Sequence, residues 1–335
     1  MRHLRLLAAL AVVVGHGYVL TGEAPPPRIG GIPIHTIGLY TFFAVSGYVI
    51  TQSWNRSLDL LLFLRNRALR VLPALSVMIL LTVTVIGPLA TRLSFAAYLS
   101  DQQTWHYLSG LLLIPQYQLP GVFIDHPSPT VNGSLWTLGI EASCYLATAI
   151  LGLALRRFAW VGMLVLASLA IAFALQPADG PLGSLRAVGA VCSFFAIGAM
   201  MSHLHLDRYR LRLTPVVCSA LAWIALGVVA PAAASVIAWL IIPAAILAIA
   251  TRSTGSDSKA DLSYGVYLWG YPIQQLVLQV NPELPVAFSI TLSAMIAAAV
   301  AALSWRHIES PALRLKKRTV PAEPYILRRP QLMWH

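Results

Sequence analysis

The sequence predicts an all-α polytopic membrane protein, a bundle of ten transmembrane helices, and three observations predict this fold. The 335 residues are 58% hydrophobic and only 10% charged, whereas soluble domains carry about 25% charged residues. Ten apolar stretches have the length that an α-helix needs to cross a bilayer, roughly 20 residues. The basic residues gather on one side of the resulting topology, as the positive-inside rule requires.

The ten predicted spans follow one another with few long connections. They cover residues 4–21, 34–53, 71–90, 134–155, 158–175, 185–203, 213–230, 232–250, 263–280 and 286–305. The apolar run 105–114 is about half the length of a span, so it is predicted to be interfacial or re-entrant. The first run has a basic start like that of a signal peptide, but no small-x-small cleavage site follows it. It is therefore predicted to be a retained span.

The distribution of charge predicts the orientation. With ten spans and a cytosolic N-terminus, only Arg28, Arg92 and Arg186 of the 23 lysines and arginines lie outside. Both termini are then cytosolic, and a transmembrane domain at 1–313 precedes a basic tail at 314–335. The basic residues that give the net charge of +11 are expected to orient the protein and to contact the anionic lipid bilayer, so nucleic-acid binding is not expected.

Several other kinds of chemistry are not expected. The three cysteines, Cys144, Cys192 and Cys218, lie in apolar segments without paired spacing, so neither a disulfide nor a thiolate metal site is predicted. The sequence has no HExxH motif, no glycine-rich phosphate loop and no GxSxG elbow. No metal cofactor is predicted.

Arg5 and His16 mark the first span as functional. They are eleven residues apart, which is three helical turns plus roughly 20°, so they share one face and differ in depth by about 16 Å. Arg5 is then near the cytosolic surface, and His16 lies deep in the bilayer. An ionisable group at that depth is costly unless it faces a polar cavity. The alternative is a packed core histidine bonded to a neighbouring helix.

Glu141 is predicted to reach the same depth from the opposite side. It lies about 12 Å below the outer surface, while His16 is about 18 Å above the inner surface of a roughly 30 Å core. A His–Glu pair would satisfy both groups and would fix the imidazole for general-base catalysis. The alternative is a structural clamp, with Glu141 bonded to Trp136 or Tyr145 of its own helix.

Six segments carry a resemblance to a known family. They are Arg5 and His16 with ten residues between them, FFAVSGYVI (42–50), FLRNRALRVLP (63–73), NGSLWTLGIEASCY (132–145), YGVYLWGYPI (264–273) and SWRHIESPALR (304–314). Together they resemble the membrane-bound acyltransferase 3 proteins, which O-acylate sugars and other hydroxyl substrates. Two departures stand out. Arg2 replaces the Asp that commonly precedes the first Arg, and Gly270 stands where many members carry His or Asn.

The resemblance implies a function, a location and roles for particular residues. The protein would be an O-acyltransferase of the bacterial inner membrane, taking its acyl group from acetyl-CoA or another acyl-CoA on the cytosolic side. Its acceptor would be a carbohydrate or another molecule with a hydroxyl group. His16 would be the general base, and Glu141 would orient its ring; an acetyl-His intermediate is the rival route.

The arginines would bind the donor, because guanidinium groups pair with phosphates bidentately. Arg65, Arg67 and Arg70 lie close together in sequence at the cytosolic end of the third span, and Arg5 lies at the same level. The alternative for Arg65 and Arg67 is simple positive-inside retention. The alternative for the whole protein is a secondary transporter or flippase of a glycan or glycolipid, with His16 and Glu141 as a proton relay. Such transporters usually carry internal repeats, and the sequence contains none.

Overall fold

The computed structural model describes residues 1–209, 211–250, 252 and 260–316. This part of the chain is all-α apart from two short paired antiparallel strands, β1 (Arg28–Ile29) and β2 (Ile32–Pro33). The long helices are α1 (Arg2–Thr21), α2 (Ile34–Ser57), α3 (Leu60–Leu81), α4 (Trp136–Leu155), α5 (Ala159–Ala174), α6 (Arg186–His203), α7 (Leu213–Val229), α8 (Pro231–Ala250), α9 (Ser263–Val280) and α10 (Val286–Ser304).

Seven helical segments among the described residues are long and apolar enough to cross a membrane. They are Arg2–Thr21, Ile34–Ser57, Leu60–Ala90, Gly133–Ala174, Gly183–His203, Pro231–Ala250 and Val286–Arg314. The fourth contains both α4 and α5, while α7 is apolar but shorter. The prediction of an all-α membrane protein is confirmed, and the number of ten crossings stays a prediction.

Helix α3 begins earlier than the sequence predicted. The predicted span starts at residue 71, but the helix begins at Leu60, where the Asp59 side chain accepts a hydrogen bond from the Leu62 amide at 2.9 Å. This N-cap satisfies an otherwise unpaired donor of the first turn. Arg65, Arg67 and Arg70 therefore lie on α3 itself, and Pro73 lies inside the helix rather than at its start.

The connection between α3 and α4 contains no span. A π-helical turn (Thr82–Ile86) and a short helix (Gly87–Ala90) continue α3, and short helices follow at Phe95–Ser100, Gln102–His106 and Tyr107–Leu112. Tyr107 is buried, and a side chain at Gly110 would lie 2.8 Å from Ile79 Cδ1 of α3. The run at 105–114 thus packs against the bundle as two short helical pieces. This agrees with the prediction that it is too short to cross.

Helix α1 packs against α2 and α9, and α2 packs against α6. A Cβ atom at Gly47 would overlap the Phe195 carbonyl oxygen, so α2 and α6 touch backbone to backbone. Small residues permit such close approaches between membrane helices. Gly270 has the same role between α9 and α1, because a Cβ atom there would lie 2.6 Å from Val13 Cγ2. A larger side chain at position 270 would require Val13 to shift.

Candidate active site

A basic pocket of about 200 Å³ opens beside the N-terminal end of α1. Its lining residues are Arg5, Val45, Ser46, Val49, Ile50, Arg67, Arg70, Tyr145, Asp261, Trp305, Leu313 and Lys316. Three of the four arginines predicted to bind the donor, Arg5, Arg67 and Arg70, therefore share one cavity. Arg65 does not line it.

Two carboxylates hold two of these arginines in place. Asp261 Oδ2 accepts from Arg5 at 3.1 Å and from Arg70 at 2.7 Å, and Glu309 pairs with Arg70 at 2.9 Å. Burial opposes the charged form of Asp261, but Arg5, Arg70 and the hydrogen bonds from Ser263 outweigh it and lower the pKa of this carboxyl. Asp261, immediately before α9, thus supplies the partner that Arg5 lacks in its own helix, where Arg2 replaces the usual Asp.

Arg67 and Arg65 have different surroundings. Arg67 Nη2 donates to Ser53 Oγ at 3.3 Å, while its buried Nε has no hydrogen-bond partner among the described residues. Among those residues it also has no ion-pair partner, although Glu141 lines a neighbouring pocket together with it. Arg65 is exposed and donates to the Leu315 carbonyl oxygen at 3.0 Å.

Glu141 lies behind two residues of the basic pocket wall. Its side chain is buried, and Oε1 accepts hydrogen bonds from Ser46 Oγ at 2.9 Å and from Tyr145 Oη at 2.5 Å. Both donors line the basic pocket. Glu141, Arg67 and Tyr145 also line a second, largely apolar pocket of about 250 Å³ between α3 and α4. One carboxylate is therefore connected to a charged and to an apolar cavity.

His16 lies toward the other end of α1 and is half-buried. Its ring packs edge-on against Tyr271, with centroids 5.1 Å apart, and lies 5.7 Å from the ring of His35. Gly15 permits the approach of His35, because a Cβ atom at Gly15 would overlap the His35 side chain. His35 Nδ1 is buried without a hydrogen-bond partner among the described residues.

The predicted His16–Glu141 hydrogen bond does not occur among the described residues. Glu141 is bonded to Ser46 of α2 and, as the alternative reading proposed, to Tyr145 of its own helix. The rings next to His16 belong to His35 and Tyr271. The rise of a helix per residue predicts the height of each group in the bilayer but not the direction in which its side chain points. A link between them through water stays a prediction.

Sequence reasoning overlooked Asp261, Glu309 and His35. The absence of the usual Asp beside Arg5 was a signal for Asp261, since a half-buried arginine needs a carboxylate from elsewhere. Glu309 lies in the quoted segment SWRHIESPALR, where it was noted only as a motif residue. His35 had no signal of its own, because its proximity to His16 depends on how α1 and α2 pack.

The comparison with protein families settles what kind of enzyme this bundle is. The family model described as "Acyltransferase domain" matches residues 1–305. The chain belongs to the acyltransferase 3 family. The predicted resemblance is confirmed over nearly the whole chain, and the protein is an acyltransferase.

Two relatives cover almost all of this acyltransferase. It is 29% identical over 319 residues to an O-acetyl transferase of Shigella phage Sf6, covering 91% of this chain and 93% of the relative. It is 28% identical over 355 residues to nodulation protein 10 of Rhizobium leguminosarum bv. viciae, covering 95% of this chain and 94% of the relative. No solved structure matches the chain.

Asp261→Asn is expected to lower the free energy of unfolding of this acyltransferase at pH 7 by about 1–3 kcal/mol, since two arginines lose their shared charge. The pKa of Asp261 is lowered on folding, so its stabilisation is complete above the unfolded value near 3.9 and is lost as the pH falls through the folded value. The difference in melting temperature between the native protein and the variant, measured in detergent, should therefore be clear at pH 7. It should be smaller at the lowest pH at which the protein stays folded.

Asp125→Asn is the matched control. Asp125 pairs with Arg92 at 2.7 Å, but both side chains are more than half exposed, and such pairs contribute little. Equal stability of Asp261→Asn and native protein at pH 7 would contradict the importance of the shared ion pair.

Proposed function

We propose that this acyltransferase moves an acyl group, most simply acetyl, from acyl-CoA to a hydroxyl of a glycan, a glycolipid or another small acceptor. The observation that carries the proposal is the basic pocket, which opens at the Arg5 end of α1 and extends inward to the hydroxyl groups that bond Glu141. The name of the phage relative, an O-acetyl transferase, supports acetyl as the group transferred.

The proposed setting is the bacterial inner membrane, with ten crossings and both termini in the cytosol. The charge distribution supports it, because this orientation leaves three of the 23 lysines and arginines outside. It also puts the basic pocket on the side where acyl-CoA is made.

A reporter enzyme fused to the C-terminus is expected to score as cytosolic, and one inserted between Gly22 and Arg28 as extracytoplasmic. Activity-based reporters that work on only one side of the membrane measure this directly. A C-terminal reporter active outside the cell would reverse the proposed entry side of the donor.

The phosphates of the donor would bind in the basic pocket. Arg67 has no ion-pair partner among the described residues, and its buried Nε has no hydrogen-bond partner there, while Arg5 and Arg70 are held in place by Asp261 and Glu309. Fixed guanidinium groups bind phosphate oxygens with little further loss of entropy. The pantetheine arm would then extend past Ser46 and Tyr145 toward His16.

Arg67→Ala is expected to weaken acetyl-CoA binding by about tenfold or more, because one charge-assisted contact contributes about 1.5–3 kcal/mol. The loss should shrink in high salt, because salt screens the Arg67–phosphate contact that only the native protein makes. Calorimetry on the purified protein measures both effects. Arg56→Ala is the control, since Arg56 is exposed at the end of α2 and donates to Gln52 of its own helix. Equal affinities of the two variants would leave Arg67 with a role in orientation alone.

The chemical step would take place at His16. The neutral imidazole takes the proton of the acceptor hydroxyl, the oxygen attacks the thioester carbonyl, and the carbon–sulfur bond breaks. The proton then passes from His16 to the departing thiolate, which leaves as CoA. In the rival route, His16 itself carries the acyl group before the hydroxyl accepts it. Both routes need this side chain.

The acceptor would bind around His16 from the other side of the bundle. Besides His35 Nδ1, the amide oxygen of Gln274 is buried without a partner among the described residues, although its Nε2 donates to the Val13 carbonyl oxygen at 2.7 Å. Buried polar atoms of this kind are costly unless something binds them. Neighbouring hydroxyls of a sugar would satisfy both, which supports a polyhydroxylated acceptor.

A further inference from the structure

The last described residues form part of the wall of the basic pocket. A π-helical turn (Trp305–Glu309) follows α10, and a short helix (Ser310–Arg314) leads to Leu315 and Lys316. We call residues 310–316 the C-terminal strap. Its Leu313 and Lys316 line the basic pocket. The family match ends at residue 305, so the strap lies beyond it.

Two arginines of α3 hold the strap in place. Arg70 pairs with Glu309, immediately before the strap, at 2.9 Å. Arg65 donates to the carbonyl oxygen of Leu315, next to Lys316, at 3.0 Å. Because these contacts lie at the two ends of the strap, they hold it beside the basic pocket, with Lys316 in the pocket wall.

The charges of the pocket are unbalanced. Four cationic side chains, Arg5, Arg67, Arg70 and Lys316, line it. The ion pairs of these pocket residues use two carboxylates, Asp261 and Glu309, and both bind Arg70, while the nearby Glu141 carboxylate is bonded to the Ser46 and Tyr145 hydroxyls. Arg67 and Lys316 are not part of these pairs. The pocket thus has an excess of positive charge that a bound phosphate group would neutralise.

The surroundings of Lys316 favour an anion nearby. Burial, together with repulsion from Arg67 and Arg70, lowers the pKa of the Lys316 amine to about 8. The other titratable groups of the pocket are Arg5, Asp261 and Tyr145. Lys316 is therefore mostly protonated at pH 7, and it loses its charge as the pH rises through about 8.

We propose that Lys316 is a phosphate-binding residue of the donor pocket and that Arg65 positions it by holding the strap. The proposal rests on the proposed function, in which the basic pocket binds acyl-CoA. It gives Arg65 a role different from the direct phosphate contact that the sequence predicted. It also extends the donor site beyond the part of the chain that the family model matches.

The test is the equilibrium binding of acetyl-CoA to the purified full-length protein in nanodiscs of uncharged lipid. Lys316→Ala is expected to weaken binding by about three- to tenfold, as loss of one charge-assisted contact at a half-buried site would. Lys316→Arg should restore binding. The matched control is Arg314→Ala, which removes a charge from an exposed residue of the same strap and should leave the affinity unchanged.

The dependence on pH gives a second readout. Affinity for acetyl-CoA should fall between pH 7 and pH 9 in the native protein as Lys316 loses its proton. In Lys316→Arg it should stay level, because a guanidinium remains charged throughout this range. Arg65→Ala should weaken binding about as much as Lys316→Ala, and the double variant should be no weaker than either, since both changes remove one contact.

The outcomes separate this proposal from the proposed function. One outcome is that Lys316→Ala binds acetyl-CoA as tightly as Arg314→Ala does while Arg67→Ala binds more weakly. In that case donor binding in the basic pocket is supported and the proposed role of Lys316 is wrong. If Arg67→Ala and Lys316→Ala both bind like native protein, the donor pocket itself is wrong. Additive losses in the Arg65–Lys316 double variant would mean that Arg65 contacts the donor independently.

Discussion

His16→Gln is expected to slow acyl transfer by at least about 10², the usual contribution of a positioned general base. Binding of acetyl-CoA should be unchanged, because the basic pocket lies about 16 Å away along α1. Glutamine matches the size of the ring and keeps a polar group between Gly15 and Gly17, so the variant should insert and fold. Initial rates with saturating donor, together with donor affinity from calorimetry, separate the two effects.

The control for this prediction is on the same helix. His3 is exposed near the start of α1, and His3→Gln should keep full activity. A His16→Gln protein that binds donor and transfers acyl groups at the native rate would remove His16 from the mechanism, in the direct route and in the acyl-His route alike.

Glu141→Gln is expected to lower the rate of transfer by about 10- to 100-fold. The amide oxygen can still accept from Ser46 and Tyr145, so the packing is kept, but the negative charge is lost. If that charge stabilises the imidazolium formed at His16, the ionised form becomes less favourable in the variant. The acidic limb of the pH–rate profile should then move to lower pH.

A structural role for Glu141 would give a different pattern. Glu141→Ala leaves the buried Ser46 and Tyr145 hydroxyls without their shared acceptor and should lower the free energy of unfolding by about 2–4 kcal/mol. If Glu141→Gln has a native rate and an unshifted pH–rate profile while Glu141→Ala unfolds easily, the carboxylate is a clamp between α2 and α4.

The sequence predicted the helices well because apolar length and charge placement are local signals. Helix α9 was predicted at its observed bounds, Ser263–Val280. Helix α3 was the exception, because three arginines in its first turns interrupt the apolar run. Only the folded structure shows how they are accommodated. Arg70 pairs with Glu309, which follows α10, and with Asp261, which precedes α9.

The candidate site was harder to predict because it also depends on how the helices pack against one another. Arg5 and His16 are on one helix, so their shared face follows from the helical period alone. The partner of Glu141 depends on the rotation of α4 against α2, and the neighbour of His16 depends on a close approach at Gly15. Neither rotation nor helix proximity can be read from hydropathy, and this is why the Ser46–Glu141 hydrogen bond and the proximity of His35 were not predicted.

The most direct test of the account follows labelled acetyl groups in sealed membrane vesicles. Inside-out vesicles from cells that make the protein would be incubated with acetyl-labelled CoA, which cannot cross the membrane, and endogenous carbohydrates and lipids would be analysed by mass spectrometry. We expect an O-acetyl ester on these molecules with native protein and little or none with His16→Gln. We expect none in right-side-out vesicles. Equal labelling with native protein and His16→Gln, or labelling of right-side-out vesicles alone, would contradict the proposed function.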